Sequence, residues 1–305
     1  MQSNVTSMGL REWTMLIILS ILWGGSFFLV AVSLEELPPL TLVALRSTVA
    51  AIVLIGIIVV SRRKMPTTAS LWIAFLVMSI FNNVVPFSLI VWGQTQIASG
   101  LAAILNSTAP LFSLVIAHFV THDEKMTLNK IIGLLIGFAG VSAIVGVDFL
   151  VMTEEGIWGQ VAVIMASVSY AIAGVYGRRF GRLGVRPMVL ATGQVSFSSL
   201  IMIPLALTFE NPLSLAIPSM QVMLSILVLG VLSTVVAYIL YFKILESAGA
   251  TNALLVTLLI PISAIAFGAM FLGELLSTNH FVGMGLIGLG LLLIDGRLFR
   301  RPSNA

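Results

Sequence analysis

The chain has 305 residues, 59% of them hydrophobic and 9% charged, with a mean hydropathy of +1.12. A soluble domain carries about 25% charged residues, so this chain cannot cover a water-facing surface and its main solvent has to be lipid. Its pI near 9.5 does not argue for nucleic acid, because its basic residues fall in short gaps between apolar runs, and without cysteine it has no disulfide framework or thiolate metal site.

A helix needs about 20 apolar residues to cross the hydrocarbon. The first such run, 13–33, follows Arg11 and Glu12. It is too long for the apolar part of a signal peptide and lacks a clear cleavage site, so it is expected to stay as a span. Midway along it stands Trp23-Gly24-Gly25-Ser26. The second run, 39–60, opens on Pro39 and holds Arg46 two turns in; the third, 71–92, holds Asn82 and Asn83 followed by Pro86. The fourth, 98–120, places Asn106, Pro110, Ser113 and Ala117 on one helix face, and the fifth, 128–147, carries Gly133, Gly137 and Gly140. The sixth, 156–177, has Tyr170 at mid-depth, and the seventh, 188–208, has Gln194. The eighth, 219–243, holds Ser233, Thr234 and Tyr238. The ninth, 250–272, repeats the fourth run's spacing with Thr257, Pro261, Ala264 and Gly268; the tenth, 279–296, carries Gly283, Gly285, Gly288 and Gly290. The runs are continuous rather than alternating, which predicts an all-α polytopic protein and not a barrel.

The charges orient this set. Fourteen of the 15 Lys and Arg fall on one side: Arg11, Arg62, Arg63, Lys64, Lys125, Lys130, Arg178, Arg179, Arg182, Arg186, Lys243, Arg297, Arg300 and Arg301. The gaps on the other side hold only acids: Glu35, Glu36, Asp148, Glu154, Glu155, Glu210 and Glu274. Cytoplasmic loops carry the excess of Lys and Arg, so both termini are expected in the cytoplasm.

The halves are related. A shift of 151 carries Val84-Val85 onto Val235-Val236, Leu89 onto Leu240, Pro110 onto Pro261, Asp123 onto Glu274, Thr127 onto Thr278 and Gly137 onto Gly288. A shift of 148 carries Pro39 onto Pro187 and Arg46 onto Gln194. Each half has an odd number of spans, so the second copy starts on the opposite side. The predicted fold is therefore ten transmembrane helices as two inverted five-helix repeats, 1–147 and 148–305, with a site at the midplane between them.

Polar residues at mid-membrane face a cavity or a neighbouring helix. The candidates for substrate binding are Trp23, Ser26, Asn82, Asn83, Asn106, Tyr170, Thr234, Tyr238 and Thr257. Pro86, Pro110 and Pro261 each leave a carbonyl without its helical partner and are candidates for hinge or cavity backbone. Arg46 either snorkels to the interface or stands in an outer vestibule with Gln194, paired with a carboxylate or with helix carbonyls; the second reading is favoured. The glycine runs of the fifth and tenth spans are expected as scaffold or as a homodimer contact. No mid-membrane Asp or Glu offers itself for proton coupling: Asp123, Glu124, Glu246, Glu274 and Asp295 all lie at span ends. His118, His122 and His280 lack metal-ligand spacing, and no nucleophile triad or nucleotide-binding loop occurs.

The ten short-looped spans, the Trp-Gly-x-Ser pattern, Pro39 with Arg46, and the stretch from Ala237-Tyr-Ile-Leu-Tyr-Phe through Gly249, Pro261 and Gly273-Glu274 resemble the EamA-type transporters of the drug/metabolite transporter superfamily. The likeness covers nearly the whole chain; the first half departs from the Gly-Glu signature with His122-Asp123-Glu124. The resemblance implies a bacterial inner-membrane exporter of amino acids or related metabolites, with a central cavity built by spans other than five and ten. The expectation is thus a secondary transporter, not an enzyme, with no cofactor or metal, partnered by a small molecule and the bilayer and not by nucleic acid. The alternatives are a non-transporting scaffold or receptor, and a facilitative channel, which would need a continuous pore.

Overall fold

The computed structural model describes residues 9–120, 128–151, 154–253 and 255–295. Those residues form helices and connecting turns, with no strand among them. The helices are α1 (Leu10–Leu34), α2 (Pro39–Val60), α3 (Ala69–Gly93), α4 (Ser99–Val120), α5 (Leu128–Val151), α6 (Glu154–Arg182), α7 (Pro187–Phe209), α8 (Met220–Ala248), α9 (Val256–Leu272) and α10 (Thr278–Asp295). Seven of them, α1 to α4 and α6 to α8, are long and apolar enough to cross a membrane; α9, Leu128–Ala143 of α5 and Thr278–Leu293 of α10 are apolar and shorter. Ile52, Val60, Ile73, Leu135, Leu200 and Met270, on five different helices, are each more than 60% exposed. Apolar surface this widespread would aggregate in water and suits lipid.

In lipid the hydrophobic effect does not press helices together, so close contact and hydrogen bonds must. The α2–α7 pair is joined by Ser47 and Ser198 hydroxyls at 3.1 Å and by Thr48 and Ser199 hydroxyls at 2.7 Å. In the α1–α9 pair the Ser263 hydroxyl donates to the Ser20 carbonyl at 2.7 Å. A Cβ at Gly24 would strike the Ser263 hydroxyl and lie 2.8 Å from the Ile260 carbonyl oxygen, so this glycine sets how near α9 can come. Glycines bring α5 and α10 close together: a Cβ at Gly290 would lie 2.5 Å from the Gly133 oxygen, and one at Gly140 2.7 Å from the Gly283 oxygen.

The pairings follow a rule. Helix α1 packs on α8 and α9, while α6 packs on α3 and α4; α2 packs on α8, while α7 packs on α3. Of the other contacts, the most extensive are α2–α7, α4–α9 and α5–α10. Adding five to each helix number maps these pairs onto themselves.

Three local features depart from a plain reading of apolar runs. Helix α6 continues to Arg182, so Arg178 and Arg179 are helical rather than in a gap, and α8 continues through Lys243 to Ala248. Arg and Lys are good helix formers, and a helix leaving the bilayer has no reason to end where its apolar residues do. Helix α4 is interrupted after Asn106: the Ser107 and Thr108 hydroxyls fold back onto the Ile104 and Leu105 carbonyls, both at 2.6 Å, before Ala109–Val120 resumes. Pro110, in the first turn of that second piece, cannot donate to the Asn106 carbonyl. The Ser167 hydroxyl of α6 does so instead, at 3.3 Å. Finally, α3 and α8 each contain a wide π turn, Ile80–Val84 and Val231–Val236, with starting residues separated by the same 151 positions as the repeat. His122, Asp123, Glu124, Lys125 and Thr127, and Arg297, Arg300 and Arg301, lie outside the described residues.

Candidate functional site

A cavity of about 670 Å³ runs through the middle of the bundle. Every helix contributes to its lining except α5 and α10. One end is a floor of buried residues: Val30 (2% exposed), Val91 (1%) and Gln94 (8%). The lining runs the other way to Gly181, which is exposed, and to Val185 and Pro187 between α6 and α7, with Leu245 near the end of α8. Among the described residues the lining is thus buried at the floor and reaches exposed residues, Gly174 and Gly181, along α6.

The floor end is held by carboxylates on helix starts. Glu210, just after α7, accepts from the Leu40 and Thr41 N–H groups at 2.8 and 2.7 Å and from the Thr41 hydroxyl at 2.8 Å, capping α2. Glu274, just after α9, accepts from the Ser99 N–H at 2.7 Å, the Ser99 hydroxyl at 2.9 Å and the Gly100 N–H at 3.0 Å, capping α4. Glu36, just after α1, accepts from the Ser219 N–H at 2.6 Å at the start of α8. A carboxylate at a helix N-terminus satisfies otherwise orphaned donors and meets the positive end of the helix dipole. Hydrogen bonds from Ser219, its side chain first and its backbone second, hold the Glu36 carboxyl below the usual range.

Most of the predicted site residues meet in the cavity. Trp23, Ser26, Asn82, Asn106, Tyr170, Thr234, Tyr238 and Thr257 line it, as do Arg46, Gln194 and Pro110. The amide of Asn82 donates to Gln194 Oε1 and to the Tyr238 hydroxyl, both at 3.3 Å, tying α3 to α7 and α8 beside the wide turns. Asn83 does not reach the lining; it is 1% exposed and donates to the Tyr238 hydroxyl at 3.2 Å from behind. Pro86 and Pro261 are buried away from the lining. The equal spacing on α4 and α9 has two uses. Asn106, Pro110 and Ser113 face the cavity, whereas Pro261, Ala264 and Gly268 do not, and the last two lie against Gly24 of α1 and Ser99 of α4.

Arg46 does not snorkel. It is 7% exposed; its Nε donates to Thr234 Oγ1 at 3.1 Å and its guanidinium lies 4.2 Å over the Phe87 ring. Among the described residues it pairs with no carboxylate, one of the two kinds of partner expected for it; Glu36, Glu210 and Glu274 are engaged at helix starts.

Several lining residues escaped the sequence reading. Gln94 sits just beyond the third apolar run, where a polar residue reads as loop, yet neither of its amide atoms has a partner. Phe87 and Tyr241 look like any other apolar residues of a span; Tyr241 packs on Trp23 with ring centroids 5.7 Å apart. Asn106 Oδ1 and Ser233 Oγ also lack partners. Each such buried polar atom costs about 1–3 kcal/mol unless water or a guest satisfies it.

Known proteins are similar to this chain along most of its length. The model of the EamA-like transporter family matches residues 11–146 and again 157–295. The uncharacterized inner membrane transporter YedA of Escherichia coli is 26% identical over 297 residues, spanning 94% of this chain and 91% of that one. A probable amino-acid metabolite efflux pump of Salmonella typhimurium is 26% identical, spanning 97% and 99%. A solved crystal structure of a protein 18% identical superposes with a TM-score of 0.68 over 96% of this chain and 99% of the other.

Proposed function

Because the chain belongs to the EamA-like transporter family, we propose that it is a secondary transporter of the inner membrane that exports amino acids or related small metabolites by alternating access. The observation that carries this reading is the cavity itself: eight helices converge on one polar and aromatic chamber that is open at one end and closed by buried residues at the other. A channel needs a path at both ends at once, and a non-transporting scaffold needs no ligand-sized chamber. The amino-acid class rests on the efflux pump's name and on the amide and hydroxyl groups of the lining.

In this reading all ten helices cross the bilayer, both termini are cytoplasmic, and 1–147 and 148–305 are inverted copies about an axis in the membrane plane. Supporting it are the two family matches, the pairing of helices five apart and the one-sided charge distribution. The open end, beside Arg178, then faces the cytoplasm, and the three capping carboxylates close the outer side. Each cap joins one repeat to the other: Glu36 of the first to α8, and Glu210 and Glu274 of the second to α2 and α4. Outward opening has to part all three.

The test is transport of radiolabelled amino acids and their deaminated carboxylates in reconstituted vesicles. Trp23→Ala and Asn106→Leu are expected to cut flux at least ~10-fold, about 1.4 kcal/mol of barrier or binding, with the protein still inserted and folded. Wild-type flux in both would refute the cavity as the route. A reporter fused at Ala305 that is active only outside would overturn the orientation.

A further inference from the structure

The cavity floor holds a buried cation for which the protein supplies no counter-charge. Arg46 uses its Nε on Thr234 and its flat face on Phe87; its other N–H groups have no acceptor among the described residues. Among the described residues no Asp or Glu lines the cavity. Taking a guanidinium out of bulk water without a partner is costly, and its planar fork matches the two oxygens of a carboxylate. A second cation, Arg178, stands at the open end, on the way in. Between the two lie the flat faces of Trp23, Tyr170 and Tyr241. A phosphate dianion would call for more than one cation at the floor, and an ammonium group would find no carboxylate to meet it.

We infer that the cavity selects a net anionic guest, an organic carboxylate with an apolar or aromatic body, its carboxylate on Arg46, rather than a zwitterion or a cation. Within the transport reading, the inference favours related metabolites that lack the ammonium group over amino acids themselves, and it rests on that reading only for the guest being cargo.

Binding to the full-length protein in lipid nanodiscs tests it apart from transport. The probes are 3-phenylpropionate, its amide, phenethylamine, L-phenylalanine and benzylphosphonate, each read by the shift in thermal unfolding. The carboxylate is expected to bind at least about ten-fold tighter than the amide or the amine, with L-phenylalanine weaker than 3-phenylpropionate. Arg46→Gln should remove that advantage, weakening the carboxylate far more than the amide. Thr234→Asp sets a carboxylate against the guanidinium from within. It should abolish carboxylate binding with a melting temperature at or above wild type, so the test survives a poorly folding Arg46→Gln. Equal or tighter binding of the amide, the amine, the zwitterion or the phosphonate overturns the inference. So does the absence of any carboxylate binding, or unchanged carboxylate affinity in the two variants. If 3-phenylpropionate binds through Arg46 but does not cross reconstituted vesicles, the transport reading fails and the anion site stands.

Discussion

The two ends of the cavity are built differently. At the floor end, three carboxylates seize the starts of α2, α4 and α8 from across the bundle, and buried side chains leave no opening. At the mouth, the lining runs out along α6 to the exposed Gly181, where an added Cβ would meet nothing within 4 Å. The closed end is held by carboxylates bonded to helix starts, while the lining at the other end reaches an exposed glycine. Closure of such a bundle is therefore set by a small number of charge-assisted hydrogen bonds, while the glycine-backed pair α5–α10 stands outside the contest.

That contrast can be broken deliberately. Glu210→Ala removes the acceptor of three hydrogen bonds at the start of α2. Losing such a cap costs about 2 kcal/mol, some 30-fold in the balance between closed and open. Electron–electron distance measurements between spin labels at Glu35 and Leu213, both exposed at that end, should show a longer population in the variant. An unchanged distribution would mean that packing, not the carboxylates, holds the floor. A smaller effect is expected from acid. The Glu36 carboxyl sits below its ordinary value only while Ser219 bonds it. Its contribution to closure is therefore complete above the ordinary Glu value near 4.3 and disappears as pH falls through the lowered one. Labels at Glu35 and Ile217 should separate on acidification in wild type and show no such pH step in Glu36→Gln. The smallest effect belongs to the mouth: Gly181→Ala should leave the floor distances unaltered and change stability by no more than about 0.5 kcal/mol, read by thermal unfolding. A large loss there would show that the mouth carries closure bonds of its own.

Much of this molecule is written in its apolar runs. The predicted 39–60 coincides with Pro39–Val60, and 188–208 lies within one residue of Pro187–Phe209 at each end, because crossing a bilayer requires length and apolarity in one stretch. Helix ends that leave the lipid obey other rules, which is why α6 and α8 overrun their apolar limits. At the site, residues costly in lipid were legible from that cost: Asn82, Asn106, Arg46 and Gln194. Asn83 was equally costly, and its partner turned out to be Tyr238 rather than the chamber. Gln94 was not legible because it stands one residue past a helix end, and Phe87 because an arginine-stacked ring and a lipid-facing ring are the same residue in sequence. The carboxylates were read only as outer-side acids; their grip on distant helix starts depends on pairs some 170 to 180 positions apart, which no local pattern encodes.

The wide turns in α3 and α8 have a consequence of their own. Each stores one residue of slack in a rod otherwise wound tight, and such slack can migrate along a helix without unwinding it. Moving it past a residue swings that side chain by about 100° around the axis. Asn82 and Thr234 sit inside these turns and Tyr238 lies just beyond one. The chamber thus owns two built-in swivels, placed where its polar wall could be re-aimed while both rods stay whole.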